Sequence, residues 1–483
     1  MSAGTWEMNA VEADEGPSLI RQTNLPASER TDKDVEVPED ATEAEDIPPN
    51  GGYGWVCVVA ACALNASAWG LNSAFGVYLA YYLAYDTFPG TTPFAFAFIG
   101  SLSISQALIT SPVITITTRT WGVRVTLLIG VFLLTSGLLG ASFANAFWQL
   151  LLAQGVCYGW GMGFLYVGSL GILPQWFSTH RSLAQGIAAS GAGVGGVIYN
   201  LAANALNESV GWRWSLRVLV ASGFAITLVC ALVLRDRNKQ IKPSLATFEW
   251  KLLARYEILL IVMWGSLSEL GYIVLYYSMP SYAASIGLSA RQGSVAGTML
   301  NVGLAVGRPV MGQYSDTFGR INMAGAGTAI CALLCLFVWI FAKSYGVLLF
   351  FAVMAGMVCG TFWATIAPVG AEVVGLKELS SALSMTWLLL VAPCTFAEPI
   401  AVVMVSGSGD SAWLRPQLFV GFMYMGAALC TLALRAWKIV GLKEKRDREG
   451  TDGHDGNTLV SVRNNAVGVV VHHLLAAFQW KRV

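Results

Sequence analysis

Residues 301–320 read NVGLAVGRPVMGQYSDTFGR, an apolar run with an arginine inside it that passes into a short charged turn. Arg308 lies well within the apolar part and is followed at once by Pro309, while the tail carries Asp316, Gly319 and Arg320. A cation at such depth in a membrane helix costs roughly 2.5–3.5 kcal/mol or more unless it faces a cavity or a partner, so Arg308 is a candidate functional residue.

Composition supports that reading of the run as membrane-embedded. Of 483 residues, 55% are hydrophobic and only 12% charged, with 17 Trp and a mean hydropathy of +0.58. These values exclude an ordinary soluble domain and indicate a polytopic membrane protein. The formal net charge is zero, so it gives no guide to partners. The four His and nine Cys show no metal-ligand spacing; the cysteines fall in apolar runs and read as small packing residues. No metal or cofactor is expected. GxxxxGK[ST] is absent, as is any Ser/His/Asp constellation, so neither a nucleotide-driven pump nor an enzyme is indicated. No nucleic-acid partner is expected either.

Stretches of about 20 apolar residues are what a helix needs to cross a bilayer. Twelve are predicted, at about 55–83, 94–118, 123–143, 147–173, 183–206, 214–234, 257–279, 292–312, 322–342, 345–369, 380–405 and 416–438. The division is a disordered acidic tail (1–49), a six-helix half (50–234), a basic linker (235–256), a second six-helix half (257–438) and a C-terminal tail (439–483). Residues 1–49 hold thirteen Asp/Glu against three Lys/Arg and no basic, apolar signal-peptide start. Residues 466–480 are apolar but too short to span. With both termini cytosolic, the inner loops carry eleven Lys/Arg and the outer loops four, which fits the positive-inside rule. The sequon at Asn207 then falls in an outer loop, a candidate glycosylation site.

The second half repeats the first. Pro309, Asp316 and Gly319 are spaced seven and ten apart, and Pro112, Arg119 and Gly122 reproduce that spacing, with Trp121 standing where Phe318 stands. The first copy therefore has Arg119 in place of the acid.

GRPxxGxxSDxxGR at 307–320 resembles the signature loop of the major facilitator superfamily, in which an Asp and an Arg latch neighbouring helices in one transport state. NGGYGWV at 50–56 and WFSTHRSLAQGIAASG at 176–191 resemble the two motifs of its monocarboxylate porter family, and 67–83 and 360–400 resemble the fungal members. The resemblance covers nearly everything from Pro48 to about 438. It implies an all-α membrane protein with twelve transmembrane helices in two pseudo-symmetric halves around a central site. It also implies a latch of Asp316, Gly319 and Arg320, and residence in the plasma membrane, with the vacuolar membrane as the alternative.

In the animal members of that family a lysine in the first helix and an Asp–Arg pair in the eighth couple a proton to a carboxylate. Counted without gaps, the lysine position here is Ser73; the arginine is Arg308, but Leu304 stands one turn earlier where the acid belongs, and Asn50 replaces the acid of the first motif. The resemblance thus carries over an anion-binding Arg308 without its proton carrier. Glu269, twelve residues into the seventh span, is the candidate replacement, because burying a carboxyl disfavours its charged form. Glu372 and Glu398 read as packing or gating groups. Asn72 and Asn301 are candidate cavity-lining residues, since Asn301 shares a helix face with Arg308. The glycine-rich run 186–196 reads as close helix packing. The expected function is transport of a small organic anion by alternating access, in a lipid bilayer and with protons as the candidate coupled ion. Export of a larger fungal secondary metabolite is the alternative, and a non-transporting sensor the third reading.

Overall fold

Residues 48–237, 253–405 and 412–451 are described by a computed structural model. The acidic tail up to residue 47, most of the basic linker and the 466–480 segment lie outside the described residues.

All the regular structure among the described residues is helical. In chain order the spans are α1 (Tyr53–Leu79), α2 (Pro93–Ile109 continuing as Ser111–Trp121), α3 (Val123–Ala141), α4 (Phe147–Trp176), α5 (Arg181–Val210), α6 (Trp212–Val233), α7 (Tyr256–Ser285), α8 (Ala290–Phe318), α9 (Arg320–Phe341), α10 (345–374), α11 (376–404) and α12 (Leu414–Leu442). α2 bends by 43° at Thr110, and α10 and α11 are one run of helix interrupted at Gly375, whose φ of 76° no other residue type adopts readily. α8, at 29 residues, is long enough to span, and with Arg308 and Asp316 in it, it is less apolar than the long helices around it.

The ends of the helices are set by glycine. Gly211, Gly287 and Gly319 all have positive φ and stand at or just past the ends of α5, α7 and α8. As a result these three helices run several residues past their apolar stretches. Asn207 is therefore not in a loop: it lies in the last turn of α5, and its side chain is buried, with neither amide atom hydrogen-bonded. A buried helical amide is a poor acceptor for a glycan, which corrects the sequon expectation.

Within the bundle α1 and α8 both pack on α5, α8 also packs on α10, and α2 packs on α11, so α5–α8 and α2–α11 join the halves. The glycines of α5 make this possible. A Cβ at Gly191 or Gly195 would overlap a carbonyl of α1, and one at Gly186 the carbonyl of Arg308 in α8. Backbone contact of this kind is how helices associate where water supplies no hydrophobic driving force. All nine cysteines are free thiols, consistent with their reading as packing residues.

Candidate substrate-binding site

A cavity lies between the halves, with about 560 Å³ of empty space including its open mouth. Its polar lining includes Asn65, Asn72, Asn301 and Arg308, and Arg308 is the single charged residue among those that line it. Asn65 points its amide into α5, donating to the Ala188 carbonyl at 3.0 Å, and so serves packing. Asn72 accepts from Ser103 Oγ (2.8 Å) and donates to the Tyr277 hydroxyl (3.3 Å), tying α1 to α2 and across to α7. The Tyr276 hydroxyl bridges Ser73 Oγ (2.6 Å) and Asn301 Oδ1 (3.0 Å), and Asn200 donates to the same serine at 3.0 Å. Ser73, which stands where the family places a lysine, is thus one member of a neutral clasp between the halves.

Arg308 is 5% exposed and held by one hydrogen bond, from Nη1 to the Ala189 carbonyl of α5 at 2.7 Å; its Nε is buried without a partner. Its guanidinium rests on Gly360, where a Cβ would come within 2.8 Å of Nε and 2.9 Å of Nη2. Leu304, one turn earlier, also lines the cavity but supplies no charge. Glu269 does not line it. The residue is 1% exposed, and neither carboxyl oxygen makes a hydrogen bond of ordinary geometry among the described residues. An unbonded carboxylate in such a place is costly, and Arg308 is the cation whose field acts on it.

An aromatic layer closes one side of the cavity. Trp69, Tyr166 and Trp363 line it, with ring centroids 5.1–5.4 Å apart, and Trp363 stacks on Trp387 at 5.3 Å with an 8° tilt. Trp69 and Tyr166 come from the first half, Trp363 and Trp387 from the second. Tyr166, Asn200 and Tyr277 had no signal in the sequence, because their roles depend on which helices meet. Tyr272 and Tyr276, one turn apart beyond Glu269, were the part that spacing could suggest.

Beyond this layer, at the end of the bundle that carries the signature loop, Asp316 receives the backbone N–H groups of Ser182 (3.0 Å) and Leu183 (2.8 Å) in the first turn of α5. A carboxylate at a helix N-terminus is favoured by both the unpaired N–H groups and the helix dipole. Arg320 donates to the Ser178 carbonyl at 2.9 Å and lies 3.8 Å from Asp316 and 3.6 Å from Glu372. Asn50 does for the first half what its missing acid would do. Its Oδ1 accepts the N–H groups of Ser178 (2.6 Å) and Thr179 (3.0 Å), joining the two monocarboxylate-type motifs. Glu398 accepts from Ser101 Oγ at 3.2 Å, one of several bonds between α2 and α11.

This two-halved bundle with its central cavity is that of a transporter. The family model of the Major Facilitator Superfamily matches residues 57–397, and the chain belongs to that superfamily. The probable transporter MCH2 of Saccharomyces cerevisiae is 32% identical over 81% of this chain and 84% of its own length. The fujikurins efflux protein of Gibberella fujikuroi is 26% identical (82% and 86%), and rat monocarboxylate transporter 10 is 26% identical (80% and 79%). Within the superfamily the chain belongs to the fungal branch that resembles monocarboxylate transporters. The solved structure of the proton:xylose symporter XylE superposes with a TM-score of 0.65 at 14% identity, covering 80% of this chain and 96% of that one, which shows a shared fold.

Proposed function

We propose that this transporter carries a small organic anion of the monocarboxylate kind, bound in the central cavity by Arg308, with Asn72 and Asn301 beside it. The observation that carries this reading is a lone, nearly buried guanidinium with one hydrogen bond, on the wall of a cavity between the halves. A guanidinium has five N–H donors, so one bond leaves a fork for a carboxylate. The signature-loop end faces the cytosol in this reading, by the distribution of Lys and Arg, and the plasma membrane is the proposed site. Alternating access would open the Ser73–Tyr276–Asn301 clasp on one side and the Asp316–Arg320 latch on the other.

The test is uptake of radiolabelled short organic acids by cells expressing the chain, at two external pH values. Arg308→Ala should lower flux about 10- to 100-fold, the worth of one charge-assisted bond pair, while surface expression is unchanged; full flux would remove the anchor role. Glu269 is the proposed proton carrier, through its link to Arg308. Uptake that is stronger at acid pH should lose that dependence in Glu269→Gln, and a variant with the same dependence would clear Glu269. The neutral residues at 73 and 304, with the similarity to a protein named for efflux, support a second reading, export of a larger organic anion. Absence of uptake for every short acid would favour it.

A further inference from the structure

The first copy of the repeat carries the opposite charge, Arg119, at the position equivalent to Asp316. It lines a second cavity, of about 590 Å³ empty volume, formed at the signature-loop end by α2, α3, α4 and α11. Thr115, Thr118, Gln175 and Ser380 supply its polar wall, Trp387 lies on its lining, and Arg119 is the single charged residue among those that line it. Arg119 Nη2 donates to Ser381 Oγ at 3.1 Å, so the guanidinium is moored across the two halves at the cavity's edge. The Ser380 hydroxyl has no hydrogen-bond partner among the described residues.

The two cavities meet at one pair of rings. Trp363 lines the central cavity, Trp387 lines the second, and the two indoles stack on each other. From Trp387 to Ser381 is six residues of helix, a rise of about 9 Å. An anion held near Arg119 would therefore sit roughly two helical turns from the aromatic layer, with Arg308 on the far side. The charge reversal in the first repeat then has a consequence: an acid here would repel an anion on this route, whereas arginine attracts it.

We propose that this vestibule is a second binding site for an organic carboxylate, with Arg119 as the charged anchor and Ser380 as a hydroxyl donor, where the anion pauses before passing the Trp363–Trp387 pair. Its place on the route rests on the transport reading above; its chemistry does not.

The experiment is calorimetric titration of benzoate into the full chain in phosphatidylcholine nanodiscs, which offer no anionic headgroup to compete. With the central anchor removed by Arg308→Ala, one benzoate site should remain, and adding Arg119→Gln should weaken it at least about tenfold. Arg119→Lys and Ser381→Ala, each in the Arg308→Ala background, should keep that site, because a cation is retained; this separates lost charge from lost folding. The vestibule site is overturned if the Arg308→Ala protein binds no benzoate, or if adding Arg119→Gln leaves binding unchanged. The central-cavity reading fails separately, if Arg308→Ala leaves the wild-type stoichiometry intact.

Discussion

The two copies of the signature loop share a backbone and differ in chemistry. In the second half α8 runs unbroken through Pro309 to Gly319, and Asp316 closes onto the N-terminus of α5 with two backbone hydrogen bonds. In the first half α2 breaks at Thr110, just before Pro112, and Arg119 reaches α11 through a side-chain bond to Ser381. Yet the turns that follow are nearly the same: Gly122 has φ 84° and ψ 164°, and Gly319 has φ 105° and ψ 141°. The glycine of the motif is thus a requirement of the turn, and the acid a requirement of the latch. One can be kept while the other is exchanged.

Breaking the latch should have the largest effect. Asp316→Asn removes the charge that faces the α5 N-terminus, about 1.5–3 kcal/mol, enough to move the balance of the two facing states by about 10- to 100-fold. Spin labels across the signature-loop end should then report a wider separation. An unchanged distance distribution would mean that α5–α8 packing, not Asp316, holds that end shut.

The turns come next. Alanine at Gly122 or at Gly319 must occupy a region open essentially to glycine alone, at a cost of about 1–3 kcal/mol each. Both variants should lower the apparent melting temperature in detergent by similar amounts. If only Gly319→Ala did so, the equivalence of the two copies would be one of sequence without a shared strain. The smallest effect is expected at Asn50. Asn50→Asp restores the family's acid beside two backbone N–H groups, but it loses the amide bonds to the Pro48 carbonyl (3.2 Å) and Ser178 Oγ (2.8 Å). The net change should stay within about 1 kcal/mol in thermal melts; a large stabilisation would show that asparagine is kept there for something other than stability.

Much of this was legible in the chain. Hydropathy places the spans because the bilayer selects apolar stretches of fixed length, and it fails only where another rule governs. It marks α8 weakly, since the polar groups of that helix face a cavity and neighbouring helices. It misplaces the ends of α5, α7 and α8, which stop at glycines rather than at the edge of the apolar run, and with α5 it misplaces Asn207. Asn72 and Asn301, whose helix positions suggested a cavity-lining place, are among the residues that line the central cavity. Ser73 could be read only as a missing lysine; that it joins Tyr276 and Asn200 depends on three helices meeting.

By itself, then, the sequence determined the class of protein, the twofold repeat, the depth of Arg308 and the absence of the family's lysine and acid, because each is a property of one helix or one loop. Which groups work together was decided by tertiary structure alone. Tyr276 joins Ser73 to Asn301, Asn50 secures the turn before α5, and Trp363 stacks on Trp387 between two cavities only because distant helices are brought into contact, and no spacing along one helix encodes its neighbour.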